Sequence, residues 1–356
     1  MQPTLARRAI AGLAACGTAI VCAELAAAVV APPVAAHGSV PDAPPSIASM
    51  VLGWSFEPAV ALPVLVAAIA WWRLTGSVNR VHPDHPVPRS QRWSFLAGLG
   101  VIAIALESGL ARYDDTLFSV HMVQHILLVL VAPPLLALAA PITQVLRAAP
   151  GDVRTRLLIP ILQSRAVRIA GHPLVTWLVF AAVMWGTHFT VLFDRALEDR
   201  LVHDLEHALY LGAGLLFWWP VVARDPAPHR MSFPARIGYT FLQMPQNSFL
   251  GMAILFAEHP LYAHYATLGS PYGIDALADQ RLAGGIMWFL GDIVFLVATL
   301  AILAGWMRSE ERGAAAAERR ADVERAAIRE RAAALDRRRS ATVTPDQSGG
   351  ASSSER

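Results

Sequence analysis

The chain of 356 residues is 55% hydrophobic and 16% charged, with a mean hydropathy of +0.44. That balance is too apolar for a soluble domain of this length and points to a multispanning membrane protein. All 29 basic residues are Arg, but they fall in short loops and one tail and the formal net charge is only +2, so no nucleic-acid partner is expected.

The chain opens on what reads as a targeting segment over residues 1–36. Arg7 and Arg8 precede an Ala-rich apolar stretch, and VAA at 34–36 has the small-residue spacing of a signal-peptidase site. An uncleaved extra span is the alternative, because the stretch is long and holds Glu24. Cleavage would leave His37 as the first residue of a short exoplasmic segment, 37–51. Cys16 and Cys22 are the only cysteines, so a metal site in the cleaved chain has to be built without thiolate.

About 20 apolar residues cross the hydrocarbon, and seven stretches approach that length, near 52–72, 94–111, 121–140, 173–192, 203–222, 236–256 and 283–306. The expected fold is therefore all-α, a polytopic bundle of about seven transmembrane helices over 52–306. Orientation follows the Arg residues in the connections. Arg73, Arg80, Arg89, Arg92, Arg147, Arg154, Arg156, Arg165, Arg168, Arg224, Arg230 and Arg236 lie on one side. Arg112, Arg195, Arg200 and Arg281 lie on the other. The first side is cytoplasmic by the positive-inside rule, and the C-terminus falls with it. The expected location is the bacterial plasma membrane. Beyond the last span, 307–340 has the Ala, Glu and Arg composition of a solvated cytoplasmic helix whose Arg residues can meet anionic lipid heads, and 341–356 reads as disordered.

This topology sorts the histidines by side. His82, His85, His172 and His229 are cytoplasmic, whereas His37, His121, His125, His188, His203, His207, His259 and His264 are outward. HMVQH at 121–125 opens the third span and HDLEH at 203–207 opens the fifth. Residues four apart share a helix face, so each pair can aim two imidazoles at one ion. Two pairs at one depth predict a four-histidine site or two adjacent two-histidine sites, with His188 near the same level. Imidazole suits copper, zinc, iron and nickel. Glu206 and Glu107 are placed to orient imidazole N–H groups, and Met122 lies beside the first pair. Neither pair reads HExxH, which disfavours zinc-protease chemistry. Pairs one turn apart at a single depth also favour a small ion over haem, whose axial ligands sit far apart along their helices. Deeper in the bundle, Gln243, Gln246 and Asn247 around Pro245 read as interhelical glue, and Asp292 as a carboxylate that has to find a cationic or amide partner.

HMVQHILLVLVAPPLLALAAP, WGTHF at 185–189, HDLEHALYLGAGLLFWWPV at 203–221 and DQRLAGGIMWFLGD at 279–292 together resemble the CtaG family, membrane proteins associated with assembly of caa3-type cytochrome c oxidase. The similarity covers roughly 50–306. It implies about seven helices and a role in activating the oxidase by supplying copper. His121, His125, His188, His203, His207 and Glu206 occupy the matching motifs. The resulting expectation is a non-enzymatic assembly factor that holds Cu(I) through a few imidazoles and passes it to cytochrome c oxidase subunits, with an extracytoplasmic copper carrier as donor. A free His37 amine and ring would add a Cu(II) chelate. A membrane metal or small-solute transporter and a haem-binding redox protein are the alternatives.

Overall fold

The computed structural model describes residues 40–342, and the regular structure among them is entirely helical. The expected targeting segment, His37 and residues 343–356 lie outside the described residues. The helices of seven residues or more are α1 (Pro58–Val81), α2 (Arg89–Glu107), α3 (Phe118–Ile126), α4 (Ala132–Leu138), α5 (Pro141–Ala148), α6 (Pro173–His188), α7 (Leu192–Glu198), α8 (Arg200–Val222), α9 (Phe233–Leu255) and α10 (Ala276–Thr342). The chain divides into two units, residues 1–300 and 301–356.

Each of the seven expected stretches coincides with a helix, but not each is a span by its own length and composition. Five are long and apolar enough to cross a membrane: α1, α2 with the turn after it, α3 through α5, α8 and α10. The fourth stretch is shorter than expected, because α6 stops at His188 and reaches spanning length only together with α7, across a 65° bend. The sixth, α9, has 23 residues but carries Arg236, Gln243, Gln246 and Asn247, which dilute its apolarity. The protein is thus a helical membrane protein with five candidate spans among the described residues, or six if the bent pair counts as one. The stretch 307–340, expected to be helical, lies within α10, which is assigned to Thr342. Within the tail unit the side chains are largely exposed, and Arg325 pairs with Asp322 at 2.6 Å.

Helix starts follow local chemistry. Pro58 begins α1, since its missing N–H is unneeded in a first turn. Asp199 caps α8, its Oδ1 accepting from the N–H of Leu201 at 2.8 Å and of Val202 at 3.3 Å. Ser232 caps α9 through the N–H of Ala235.

Within the first unit, α4 lies between α2 and α8, with α1 outside α2 and α6 outside α8. A π-helical turn, Leu127–Val131, joins α3 to α4, and the APP sequence explains it. Pro133 and Pro134 stand where an α-helical and a π-helical donor to the Val129 carbonyl would be, and neither has an N–H. The indole Nε1–H of Trp218, on α8, donates to that carbonyl at 3.2 Å. Gly214 permits the approach, since a Cβ there would lie 2.6 Å from the same oxygen and 2.7 Å from Pro133 Cγ. Such close backbone contact through a small residue is how helices pack in lipid, where hydrophobicity alone drives no association. Trp218→Phe keeps an aromatic ring but loses the indole N–H and the volume of the pyrrole half, so it strands the carbonyl and is expected to destabilise the protein by at least about 1–3 kcal/mol. Thermal unfolding in detergent measures this, and an unshifted midpoint would mean that the carbonyl finds another donor.

The deeper polar groups pair as amides and hydroxyls. Asn247 Nδ2 donates to Asp292 Oδ1 at 3.1 Å and to the Met287 carbonyl at 3.2 Å, while Ser248 Oγ donates to Asp292 Oδ2 at 2.6 Å. Gln243 and Gln246 bond each other along α9. The bonds of Asn247 and Ser248 tie α9 to α10.

Candidate metal centre

The two H-x-x-x-H motifs begin their helices, and the fold brings those beginnings together. On α3, His121 and His125 stand one turn apart with ring centroids 4.1 Å from each other. On α8, the Asp199 cap sets the start so that His203 and His207 occupy the first two turns, 4.3 Å apart. The pairs face across the helix contact: His121 stacks on His203 at 5.3 Å, and His125 lies 6.1 Å from His207. His188, ending α6, joins them with its ring 6.2 Å from His125. The bend after His188 turns α7 inward, so that the fully buried Phe193 ring lies 5.0 Å from His121 and 5.6 Å from His188.

Glu206 lies inside this ring of imidazoles. Its Oε2 is 4.0 Å from His121 Nε2 and 3.8 Å from His125 Nε2, beyond hydrogen-bonding range. Both carboxylate oxygens and both nitrogens of His121 and of His125 are buried without a hydrogen-bond partner. Glu206 was expected to orient an imidazole from outside; here it is as central as the rings. His121, His203 and Glu206 each offer a ligand atom within 4.8 Å of the others, and Asp114, His203 and His207 do the same. The cluster therefore holds two overlapping triads that share His203.

Hydrogen bonds set which nitrogen of two rings carries the proton. Gln124 Nε2 donates to Asp114 Oδ2 at 2.8 Å and to the Ala105 carbonyl at 3.0 Å, which turns its Oε1 to His207 Nε2 at 3.1 Å. An acceptor there makes Nε2 the donor and leaves the lone pair on His207 Nδ1. His188 Nδ1 donates to the Met184 carbonyl at 2.7 Å, leaving the lone pair on its buried Nε2. The hydroxyls of Thr187 and Tyr210 meet at 2.5 Å beside that ring, and Tyr262 donates to the His188 carbonyl at 3.2 Å. Burial, then the adjacent Asp115 carboxylate, holds the Asp114 carboxyl well above the usual carboxylate range.

Other expected residues go elsewhere. Glu107 does not meet an imidazole: its Oε2 accepts from the Glu57 N–H at 2.7 Å, at the start of α1, because the end of α2 lies against that turn. Met122 is buried and lines a small cavity with His125. His259 is exposed, and His264 Nε2 contacts the Asp115 carbonyl at 2.8 Å. Sequence reasoning missed Gln124, Asp114 and Tyr210. Gln124 carried a usable signal, as an amide in an apolar span needs partners. Asp114, in a connection, and Tyr210, on an apolar helix, carried none.

A family model described as the cytochrome c oxidase caa3 assembly factor matches residues 69–309. The chain is also 32% identical over 286 residues to uncharacterized proteins of Mycobacterium bovis and of Mycobacterium tuberculosis, covering 78% of this chain and 43% of each of theirs. A Mycobacterium leprae relative, also uncharacterized, is 29% identical over the same share. The chain thus spans less than half the length of these relatives. No solved structure matches it significantly. The matched region includes all five histidines and Glu206, and the chain belongs to the cytochrome c oxidase caa3 assembly factor family.

Proposed function

We propose that this membrane protein holds a copper ion, Cu(I), in the cluster of His121, His125, His188, His203, His207 and Glu206, on the outer side of the membrane, and passes it to a cytochrome c oxidase subunit. The observation that carries the reading is the convergence on one point of buried ring nitrogens and carboxylate oxygens, those of His121, His125 and Glu206 without a hydrogen-bond partner. Each buried polar atom without a partner costs about 1–3 kcal/mol, and a bound ion would recover that. Ligand spacing supports it too. Two atoms each about 2.0–2.1 Å from one ion in tetrahedral geometry lie roughly 3.4 Å apart. The 3.8 and 4.0 Å separations at Glu206 come within a rotamer adjustment of that edge.

Imidazole is a competent ligand for copper, and the cluster contains no thiolate that would bind it too tightly for release. Two triads sharing His203 suit transfer, because an ion can exchange one ligand at a time. The Arg asymmetry supports an outward-facing site, a seven-crossing topology and a cytoplasmic tail whose Arg residues meet anionic lipids. The 4.1 Å ring separation of His121 and His125 favours an ion over haem, since no macrocycle fits between two such rings.

The test is metal analysis of the purified protein beside a variant with His121, His125, His203 and His207 changed to Ala, together with oxidase activity in cells carrying each. Loss of copper and of oxidase activity in the variant is expected. Unchanged copper content with normal oxidase activity would overturn the proposal.

A further inference from the structure

We infer that a second site, rich in sulfur and suited to a soft monovalent metal ion, adjoins the histidine cluster in a cavity lined by Met122, Met184, Met287 and His125. The inference rests on the copper reading of the cluster, because His125 belongs to both places.

The chain has nine Met in all, and three of them, on α3, α6 and α10, converge here from positions far apart in sequence. All three are buried, at 1%, 5% and 3% exposure. The cavity they line is about 10 Å³, room for a single atom-sized guest. Leu or Val would have filled such a gap in a bundle core as well. Three thioethers on one small cavity bring instead a set of soft, neutral donors, the class that selects Cu(I) over divalent ions. His125 supplies a fourth donor: it is 1% exposed, and neither ring nitrogen has a hydrogen-bond partner.

Charge and access agree with this. A monovalent cation among neutral ligands needs a compensating negative charge nearby. Asn247 also lines the cavity and donates to Asp292, so a carboxylate stands one side chain away. On the other side, the Glu206 carboxylate lies 3.8 Å from His125 Nε2. A neutral imidazole has one lone pair, so His125 binds at one site or the other but never at both. It is therefore an exchange ligand: an ion leaves the thioether pocket for the histidine cluster as His125 changes partner, with no electron transferred.

The experiment uses the full-length protein in lipid nanodiscs under anaerobic, reducing conditions. Cu(I) affinity is measured by competition with a chromophoric chelator, the ligand shell by X-ray absorption at the copper edge, and Zn(II) binding in parallel. The variant is Met184→Leu with Met287→Leu, which conserves volume and leaves packing intact. Wild-type protein should show sulfur scatterers, and the variant should keep at most the one from Met122, with about tenfold or greater loss of Cu(I) affinity. Zn(II) binding should stay unchanged, and Cys16→Ser with Cys22→Ser should keep the sulfur shell. Copper bound through nitrogen and oxygen alone, indifferent to the Met changes, overturns this inference and leaves the histidine site standing. No copper bound by any form overturns the histidine reading itself, and this one with it.

Discussion

His203→Ala is expected to weaken metal binding more than any other single substitution in the cluster. His203 belongs to both triads, one with His121 and Glu206 and one with Asp114 and His207. Its loss degrades both at once, whereas His121→Ala leaves the second triad whole. Removing an outer hydrogen bond from a metal ligand costs roughly 10–100-fold in affinity, and removal of a shared ligand should exceed that range. His121→Ala should fall within or below it. The imidazole at 203 stacks on the His121 ring at 5.3 Å, so each truncation leaves a similar hole, and the comparison between them cancels the packing loss. Chelator competition on both purified variants gives the ratio. Equal losses would show that the two triads do not function as overlapping sites.

Gln124→Leu should have the next largest effect, on two quantities together. The amide is fully buried and is the hub joining Asp114, the Ala105 carbonyl and His207. Leucine is close in size but removes the bonds to all three, and leaving a buried group such as the Ala105 carbonyl unsatisfied costs about 1–3 kcal/mol. Stability in detergent should fall by an amount in that range. The His207 ring then loses the acceptor that keeps its lone pair on Nδ1, and metal affinity should fall about 10–100-fold. Gln124→Glu keeps an acceptor for His207 and should recover affinity in preference to stability. A stability loss with affinity unchanged would reduce Gln124 to a structural link between α2 and α3.

Much of this was legible in the residues. The pairing of His121 with His125 and of His203 with His207 follows from the four-residue spacing, and both pairs begin helices because apolar runs follow them. The break that APP makes in the hydrogen-bond ladder of the third stretch was not read from the sequence, nor was its repair by an indole from α8. The family resemblance, carried by HMVQH, HDLEH and FWWP, agrees with the matched region. Span lengths were less legible. Nothing in WGTHF states that α6 ends at His188 or that a 65° bend follows it and sets the buried Phe193 ring beside His121 and His188. The role of Glu107 was misread for a related reason: its partner, the Glu57 N–H, is 50 residues away in sequence.

Sequence alone determined the helical class, the apolar stretches and the face each histidine shares with its neighbour, because these depend on spacings within a single helix. Tertiary structure alone decided that the two pairs meet, that Glu206 lies between them and that three methionines converge below. Those separations depend on how closely α8 approaches α3 and α4. The approach is governed by contacts such as Gly214 and Trp218 on the Val129 carbonyl, made between residues more than eighty positions apart. A periodic pattern records which side of a helix is apolar, but it holds no information about the distance to the next one.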